Sequence, residues 1–377
     1  MSFNKMERSL VVIELEGGND ALNTVIPYNS GLYYDFRPNI GIPQEDLLRL
    51  DDHLGFNPNM GPIKRLWDEG KVAVINGIGY PNPNRSHFRS RDVWYTAEPD
   101  MVGADGWLGA AIRELDPSSE NVLTGVNFGR GLPLALACKG VSVASVGNLA
   151  TYGLFPDIQD ETQRRDALEA FSRMYGPSEG KDTIAQALGH AGTDALKGAD
   201  ILRTAPEKYS SSVEYADTPL AQNLRSAAQV MAAGLGTRIY YAKHGSFDTH
   251  AVGLRAHSKL WQDVSTAISD FTDDLEEQGL AEDTLILVWS EFGRRIRDNG
   301  AGTDHGSGGI SFIIGDPVKG GLYGEYPSLE EREQLEGDLH FNNDFRGTYS
   351  TILEKWLGLD SVPIVNGQFE LFDFIQN

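Results

Sequence analysis

Short hydrophobic runs recur along this chain, and several of them end abruptly at glycine, aspartate, glutamate or histidine. The runs are rich in β-branched and aliphatic residues, which is typical of buried strands. Residues 121–157 alternate shorter apolar runs with glycines, which indicates a few further strands and turns. We predict the main strands at residues 10–15, 72–75, 238–242, 284–289 and 310–314.

Between these runs the apolar positions follow helical spacing, in segments rich in alanine, leucine, glutamine and arginine. The longest of these segments ends at Gly279, a typical helix stop. Strands that alternate with helices predict an α/β fold, in which a mostly parallel central sheet is covered by helices on both faces. The predicted helices are residues 60–69, 88–96, 103–115, 220–235, 254–278 and 344–357.

Two regions depart from this alternation within what we predict to be a single domain, residues 1–377. Residues 27–58 are rich in proline, asparagine, aspartate and tyrosine. This composition predicts a long loop region on the surface. Residues 155–215 predict an inserted helical and loop region. We expect His257 to be a surface or face residue of the helix at 254–278.

Acidic residues and histidines stand where predicted strands give way to loops. In open α/β sheets, ligands bind outside the carboxyl ends of the strands. Carboxylates and imidazoles that meet there form hard-to-borderline metal sites. Each position also has a structural alternative, such as a Gly-Asn-Asp turn at residue 20, so the prediction depends on their convergence. The candidate metal ligands are Asp20, Asp248, His250, Glu291 and His305.

Ser86 precedes a predicted helix and has two interpretations. Serine is a preferred N-cap residue, but the same place suits a nucleophile, because a helix N-terminus favours the anion under attack. His87 beside it suits either a general acid or a structural role. The nearby Arg85, Arg89 and Arg91 would bind an anionic substrate or remain solvated.

Composition narrows the possible functions. The 32 Lys+Arg against 54 Asp+Glu give a net charge of −22, which disfavours a nucleic-acid-binding surface. A single cysteine excludes an intramolecular disulfide and a thiolate metal cage, and we expect Cys138 to be a buried strand residue. No run is long and apolar enough to span a membrane.

The N-terminal residues carry no apolar signal core. We therefore expect either a cytoplasmic protein or an exported one whose signal has been removed. The sequence leaves the oligomeric state open.

Five short motifs resemble a known family in their order and spacing: residues 16–23 (EGGNDALN), 84–88 (NRSHF), 247–250 (FDTH), 290–294 (SEFGR) and 302–306 (GTDHG). With the motif at 344–349, the resemblance covers nearly the whole chain. The family is the bacterial domain-of-unknown-function family numbered 1501, in the alkaline phosphatase-like (sulfatase-like) superfamily. The resemblance implies a three-layer α/β sandwich with two divalent cations around a Ser, Thr or modified Cys nucleophile.

Matched motif by motif, the resemblance implies Asp20 as the first-strand metal ligand and Ser86 as the nucleophile. Asp248 and His250 resemble the aspartate and histidine of one metal site. His305 resembles the late histidine that precedes the final core strand.

Glu291 falls where the superfamily has an Asp-His pair on the second metal, but position 292 is Phe in this chain. The first cation would be zinc. The second would be an oxygen-bound Mg²⁺, Mn²⁺ or Ca²⁺, or would be absent.

The resemblance implies a metal-dependent hydrolase that cleaves a small anionic phosphate or sulfate ester by in-line displacement. Arg85, Arg294 and Arg295 would hold the anion, together with Asn23 of the first motif. Three alternatives remain: a metal-dependent transferase or mutase, a non-catalytic binding protein, and a protein whose metal is purely structural.

Overall fold

The computed structural model describes residues 7–149, 152, 160–175, 192, 194, 195, 197–199 and 201–376. Within these residues, nine strands form one sheet and three short strands form another. The strands are β1 (Ser9–Leu15), β2 (Val25–Ile26), β3 (Leu48–Arg49), β4 (Gly55–Phe56), β5 (Val72–Gly79), β6 (Gly125–Phe128), β7 (Ala144–Val146), β8 (Ile239–His244), β9 (Thr284–Trp289), β10 (Gly309–Ile314), β11 (Gly321–Tyr323) and β12 (Asn343–Asp344).

The large sheet has the order β11-β5-β10-β9-β1-β8-β6-β7, and β12 pairs with the carboxyl end of β5. Strand β1 lies at its centre, parallel to both β8 and β9. Among the described strands of this sheet, β10 alone runs against the others, because it pairs antiparallel with β9 and β5. The predicted α/β class with a mostly parallel sheet is therefore confirmed.

Helices cover both faces of this sheet. The described helices are α1 (Gly31–Phe36), α2 (Gly61–Asp68), α3 (His87–Thr96), α4 (Trp107–Leu115), α5 (Glu161–Tyr175), α6 (Pro219–Ala232), α7 (Gly253–Gln278), α8 (Phe345–Thr351) and α9 (Val362–Val365). A π-helical turn, Ile352–Leu357, continues α8. The predicted helix at 344–357 is therefore α-helical only in its first half.

The two helical layers follow from the period of two along the strands. In β1, Val11 and Ile13 pack into the core beneath α2, α6 and α7. Leu10 and Val12 point the other way, into the core beneath α3, α4, α8 and α9. Each residue of this strand thus contacts one of two cores, which explains why the strand is apolar nearly throughout.

The prediction that residues 27–58 form a surface loop region is wrong. Tyr33 and Phe56 are fully buried, and the guanidinium of Arg37 is buried with them. Strands β2, β3 and β4 form a small antiparallel sheet in this region. The segment is mostly polar, so its composition did not indicate that a few apolar side chains pack it against the core.

Two smaller predictions also fail. Cys138 is only partly buried and lies in a loop, because the apolar run before it forms a 3-10 turn instead of a strand. His257 is 2% exposed, because its face of α7 packs against the loop after β1, where Asn19 accepts its hydrogen bond.

Much of the predicted insertion at 155–215 lies outside the described residues, apart from α5 and the segment after residue 200. Of the helices that the structure describes, none is long and apolar enough to cross a membrane.

Candidate metal centre

The site residues meet because of the strand directions. Asp248 follows β8 and Glu291 follows β9, while His87 begins the helix that comes after β5. These strands are parallel, so their carboxyl ends share one edge of the sheet. His305 precedes β10, which runs the opposite way, so the amino end of β10 lies at that same edge. His305, which precedes β10, and Asp248, which follows β8, therefore lie at the same edge of the sheet.

Three imidazoles and one carboxylate form the cluster. His87, Asp248 and His305 each offer a ligand atom, and these atoms lie within 4.8 Å of one another. The fourth member is His250, whose Nε2 lies 2.9 Å from the Asp248 Oδ1 and 2.9 Å from the His305 Nε2. The structure thus brings together Asp248, His250 and His305, which were predicted as ligands, and His87, which was predicted to be either a general acid or a structural residue.

Each imidazole in this cluster has an acceptor at its Nδ1. The Nδ1 of His87 lies 2.8 Å from the Glu291 Oε1, and that of His250 lies 3.2 Å from the Asp304 Oδ1. The Nδ1 of His305 lies 2.8 Å from the backbone carbonyl of Arg85. An acceptor at Nδ1 holds the proton there and leaves Nε2 with its lone pair free, as in metal-binding histidines.

The residues present fit a cation. Among the described residues, the buried Nε2 of His87 has no hydrogen-bond partner, and it faces the Asp248 Oδ2 at 3.5 Å. The side chains of Asp248 and His250 are 45% and 42% exposed, so the cluster is open to solvent on one side. Three imidazole nitrogens and a carboxylate suit zinc or a similar borderline cation.

Asp248 is held as an anion by its surroundings. Partial burial opposes ionisation, yet the hydrogen bond and charge of Arg294 lower the pKa of Asp248 to about 2. The fully buried Arg294 also donates to the carbonyl oxygens of Gly17, Gly18 and Phe247. These contacts bind the loops after β1 and β8 together and favour a structural role for Arg294 over the predicted contact with substrate.

The glycine pair after β1 allows the backbone to approach Glu291 and Phe292 closely. The backbone N–H of Gly17 donates to both oxygens of Glu291, at 3.0 and 3.1 Å. Gly18 has φ +77°, and a Cβ there would lie 2.2 Å from the ring of Phe292. That ring lies 4.9 Å, centroid to centroid, from both His87 and His305. Phe292 therefore supports two imidazoles by packing, in the position where the resemblance expects a histidine.

Asp20 lies outside this cluster. Its Oδ2 accepts a hydrogen bond of 2.6 Å from Arg37, and both side chains are almost fully buried. Burial acts to raise the pKa of Asp20, but the charge and hydrogen bond of Arg37, together with the charges of His257 and Arg294, outweigh burial and lower that pKa. The predicted substrate contact Asn23 is also buried, and it accepts hydrogen bonds from Arg37 and Tyr33.

The other predicted residues differ in whether their side chains already have a hydrogen-bond or ionic partner. Arg85 and Arg295 both contact the buried Asp338, at 2.8 and 3.4 Å, so each already has an anionic partner. Ser86 is exposed and is the N-cap residue of α3, but its side chain makes no cap hydrogen bond. Its hydroxyl is thus free of the structural use that the sequence suggested.

Three residues in or near the site were missed by the sequence interpretation. Arg37 lies in a segment that was predicted to be surface, and His257 was predicted to be a surface or face residue of its helix. Asp304 stands next to His305, and only that adjacency could have signalled its contact with His250.

The family model described as "Protein of unknown function (DUF1501)" matches residues 78–353. The match covers more than half of the chain, so the protein belongs to this family, as the resemblance predicted. No curated protein matches the chain significantly.

Several solved structures are similar at low identity. A phosphonate monoester hydrolase of Agrobacterium radiobacter is 13% identical, with TM-score 0.46, over 97% of this chain and 79% of that one. The PsFucS1 sulfatase from Pseudoalteromonas sp. is 13% identical, with TM-score 0.44, over 97% and 71%. An alkaline phosphatase superfamily protein from Vibrio parahaemolyticus is 10% identical, with TM-score 0.39, over 96% and 69%. These scores are too low to transfer an activity.

Proposed function

We propose that this protein is a metal-dependent hydrolase of phosphate or sulfate esters. The observation that carries the proposal is the convergence of three imidazoles on one solvent-open carboxylate, each imidazole having an acceptor at its Nδ1. The proposed ligands are the Nε2 atoms of His87, His250 and His305 and the carboxylate of Asp248. This donor set favours zinc.

We further propose a single cation. The charge of Asp20 is already matched by Arg37, and Glu291 accepts hydrogen bonds from Gly17 and His87. Glu291 is thus engaged within the protein, Asp20 pairs its charge with Arg37 while its Oδ1 has no hydrogen-bond partner among the described residues, and the Phe292 ring provides no ligand atom. Glu291 would act by orienting His87, and Asp20 by its buried ion pair.

The chemistry that a bound divalent ion supplies is polarisation of the ester oxygen and stabilisation of the charge that develops there. The protein's own part begins with Ser86, the proposed nucleophile, one residue before His87. Its hydroxyl oxygen would lose its proton to solvent and form a bond to phosphorus or sulfur while the bond to the leaving alkoxide breaks, and the alkoxide would take a proton from solvent. Water would then hydrolyse the seryl ester, restoring the serine hydroxyl and releasing phosphate or sulfate. Arg294 keeps the Asp248 carboxylate ionised and in place throughout.

Metal analysis combined with an ester screen tests this proposal. Purified protein should hold one zinc-like cation per chain and hydrolyse at least one of 4-nitrophenyl phosphate, bis(4-nitrophenyl) phosphate and 4-nitrophenyl sulfate. Asp248→Ala and His250→Ala should lose the metal. Ser86→Ala should keep it and lose turnover by about a hundredfold or more.

His53→Ala is the matched control, because His53 is exposed and hydrogen-bonds Asn29 outside the cluster. It should change neither metal content nor turnover. Stoichiometric metal without turnover of any ester class would refute the hydrolase. Unchanged metal in both Asp248→Ala and His250→Ala would refute the centre itself.

A further inference from the structure

Two large apolar side chains are exposed directly beside the metal cluster. Phe88, the residue after His87, is 78% exposed, and Val252, two residues after His250, is 72% exposed. Consecutive Cα atoms are about 3.8 Å apart, so both residues are attached within one or two steps of a proposed ligand. His87 and His250 themselves approach one carboxylate, at 3.5 and 2.9 Å.

Val252 is held in a backbone conformation that valine rarely adopts. Its φ and ψ are 50° and 29°, in the left-handed region where a β-branched residue is an outlier. This conformation is strained for a β-branched residue, and glycine or asparagine would adopt it more readily. A valine here contributes no burial that offsets this strain, since its side chain points into solvent.

The surrounding loop enforces that conformation. The N–H of Gly253 donates to the carbonyl of Ala301 at 2.7 Å, and a Cβ on Gly253 would lie 2.7 Å from the Cα of Gly302. The segment that fixes Val252 therefore leads directly into Asp304 and His305. Strain maintained beside a site, with an apolar side chain directed outward, is typical of a surface that contacts a ligand.

Phe88 is placed by the start of α3. Its ring lies 5.9 Å from the guanidinium carbon of Arg91, which forms an ion pair with Glu16 at the carboxyl end of β1. The charge of Arg91 is already neutralised by Glu16, so Arg91 does not make this surface an anion site. The exposed Phe88 ring therefore provides an apolar contact surface. A planar ring that stays open to solvent beside an ester-binding cation suits a flat or apolar leaving group.

We propose that Phe88 and Val252 form an apolar rim that binds the non-reacting part of the substrate, so the substrate is an ester of an aromatic or otherwise apolar alcohol. This inference rests on the proposed hydrolase function, which sets the anionic group on the cluster. The rim would add affinity by removing the apolar group from water, and a small hydrophilic alcohol would gain nothing from it.

Two non-hydrolysable anions distinguish binding by the rim from binding by the cluster. Phenylphosphonate and methylphosphonate carry the same anionic group and no ester bond, so calorimetric titration of metal-loaded protein measures binding without turnover. We expect phenylphosphonate to bind about tenfold more tightly, a difference of about 1.4 kcal/mol. Phe88→Ala and Val252→Asn should each lower that ratio several-fold while methylphosphonate affinity stays the same.

The matched control is Val362→Ala, because Val362 is an exposed valine at the start of α9, a helix that supplies no residue of the cluster. It should leave the ratio unchanged. Equal binding of the two phosphonates, binding of neither, or an unchanged ratio in both rim variants would overturn the inference. So would loss of binding to phosphatidylglycerol vesicles in the rim variants with no effect on the ratio, since the rim would then be a lipid-contact surface.

The two proposals fail separately in this design. A phenyl preference that depends on Phe88 supports the rim even where no ester is turned over. Turnover of methyl and aryl esters at equal rates, with equal phosphonate binding, would retain the hydrolase and remove the rim.

Discussion

Asp20 illustrates how the role of a residue depends on its partner. From its position after β1 it was predicted to bind metal, but in the folded chain its carboxylate meets the guanidinium of Arg37 at 2.6 Å. Both groups are removed from water, so each depends on the other for neutralisation. The carboxylate thus neutralises a buried guanidinium through its Oδ2, while its Oδ1 has no hydrogen-bond partner among the described residues.

Replacing Arg37 should therefore be costly. Arg37→Leu leaves the Asp20 charge buried and unpaired, and we expect the free energy of unfolding to fall by about 3–5 kcal/mol. Denaturant titration measures the loss. Lys64→Met is the control, since Lys64 and Asp68 form a partly exposed i,i+4 pair whose loss should cost below about 1 kcal/mol. Equal, small losses in both variants would contradict the assignment.

His257 predicts a pH dependence of stability. Burial lowers its pKa from 6.5 to about 4, so the folded state resists protonation while the unfolded state accepts it. The contribution of neutral His257 to the free energy of unfolding is fully present above pH 6.5 and is lost as the pH falls towards 4. Between pH 7 and pH 5 this histidine alone should cost about 2 kcal/mol.

His257→Gln removes that titration and retains a side chain that donates to the Asn19 amide oxygen. Over the same pH range the variant should lose about 2 kcal/mol less than the unchanged protein, as measured by unfolding at each pH. Parallel curves would show that His257 does not titrate as described.

At the scale of elements, the sheet places two buried carboxylates with different functions. Glu14, within β1, accepts hydrogen bonds from the hydroxyls of Tyr95 and Tyr241, and burial raises its pKa. Glu291, just beyond β9, is buried as well, but the hydrogen bonds from His87 and Gly17 outweigh burial and lower its pKa. Glu14 and Glu291 thus lie only a few residues apart along neighbouring strands, but Glu14 is a core residue and Glu291 contacts the cluster through His87.

Glu291→Gln should weaken metal binding without unfolding the protein. The amide is nearly isosteric, but it no longer holds the His87 ring as a charged acceptor, so metal affinity should fall about 10- to 100-fold. Competition with a chromophoric chelator measures this. Glu14→Gln is the matched control, being equally buried but outside the cluster; an equal loss of affinity in both variants would argue against an orienting role.

At the scale of the whole molecule, the proposed cation would join separate parts of the chain. Its ligands come from the start of α3, the loop after β8 and the segment before β10. An ion bound only by the folded state stabilises that state according to its concentration, by about 2.7 kcal/mol at a hundred times its Kd.

Chelation should consequently lower the Tm of the intact protein. Asp248→Asn, which lacks the charged ligand, should show a lower Tm from the start and no further response to chelator. Calorimetric scans with and without chelator test both expectations. An identical Tm for the unmodified protein in the two conditions would contradict a metal that links these segments.

Local sequence was sufficient for the layered α/β fold. Runs such as residues 284–289 predicted strands that the structure confirms, because period and β-branching are properties of neighbouring residues. Family membership was also readable, since the motifs are short and contiguous. The prediction for residues 27–58 was wrong because the burial of Arg37 depends on partners distant in the chain, such as the carbonyl of Ile296.

The sequence by itself determined that acids and histidines would stand at strand ends. Only the tertiary structure decided which of them meet. The reversed direction of β10 brings His305 to Asp248, and the buried Arg37 forms an ion pair with Asp20. Strand direction and charge pairing are set by contacts between residues far apart in sequence, so no local pattern contains them.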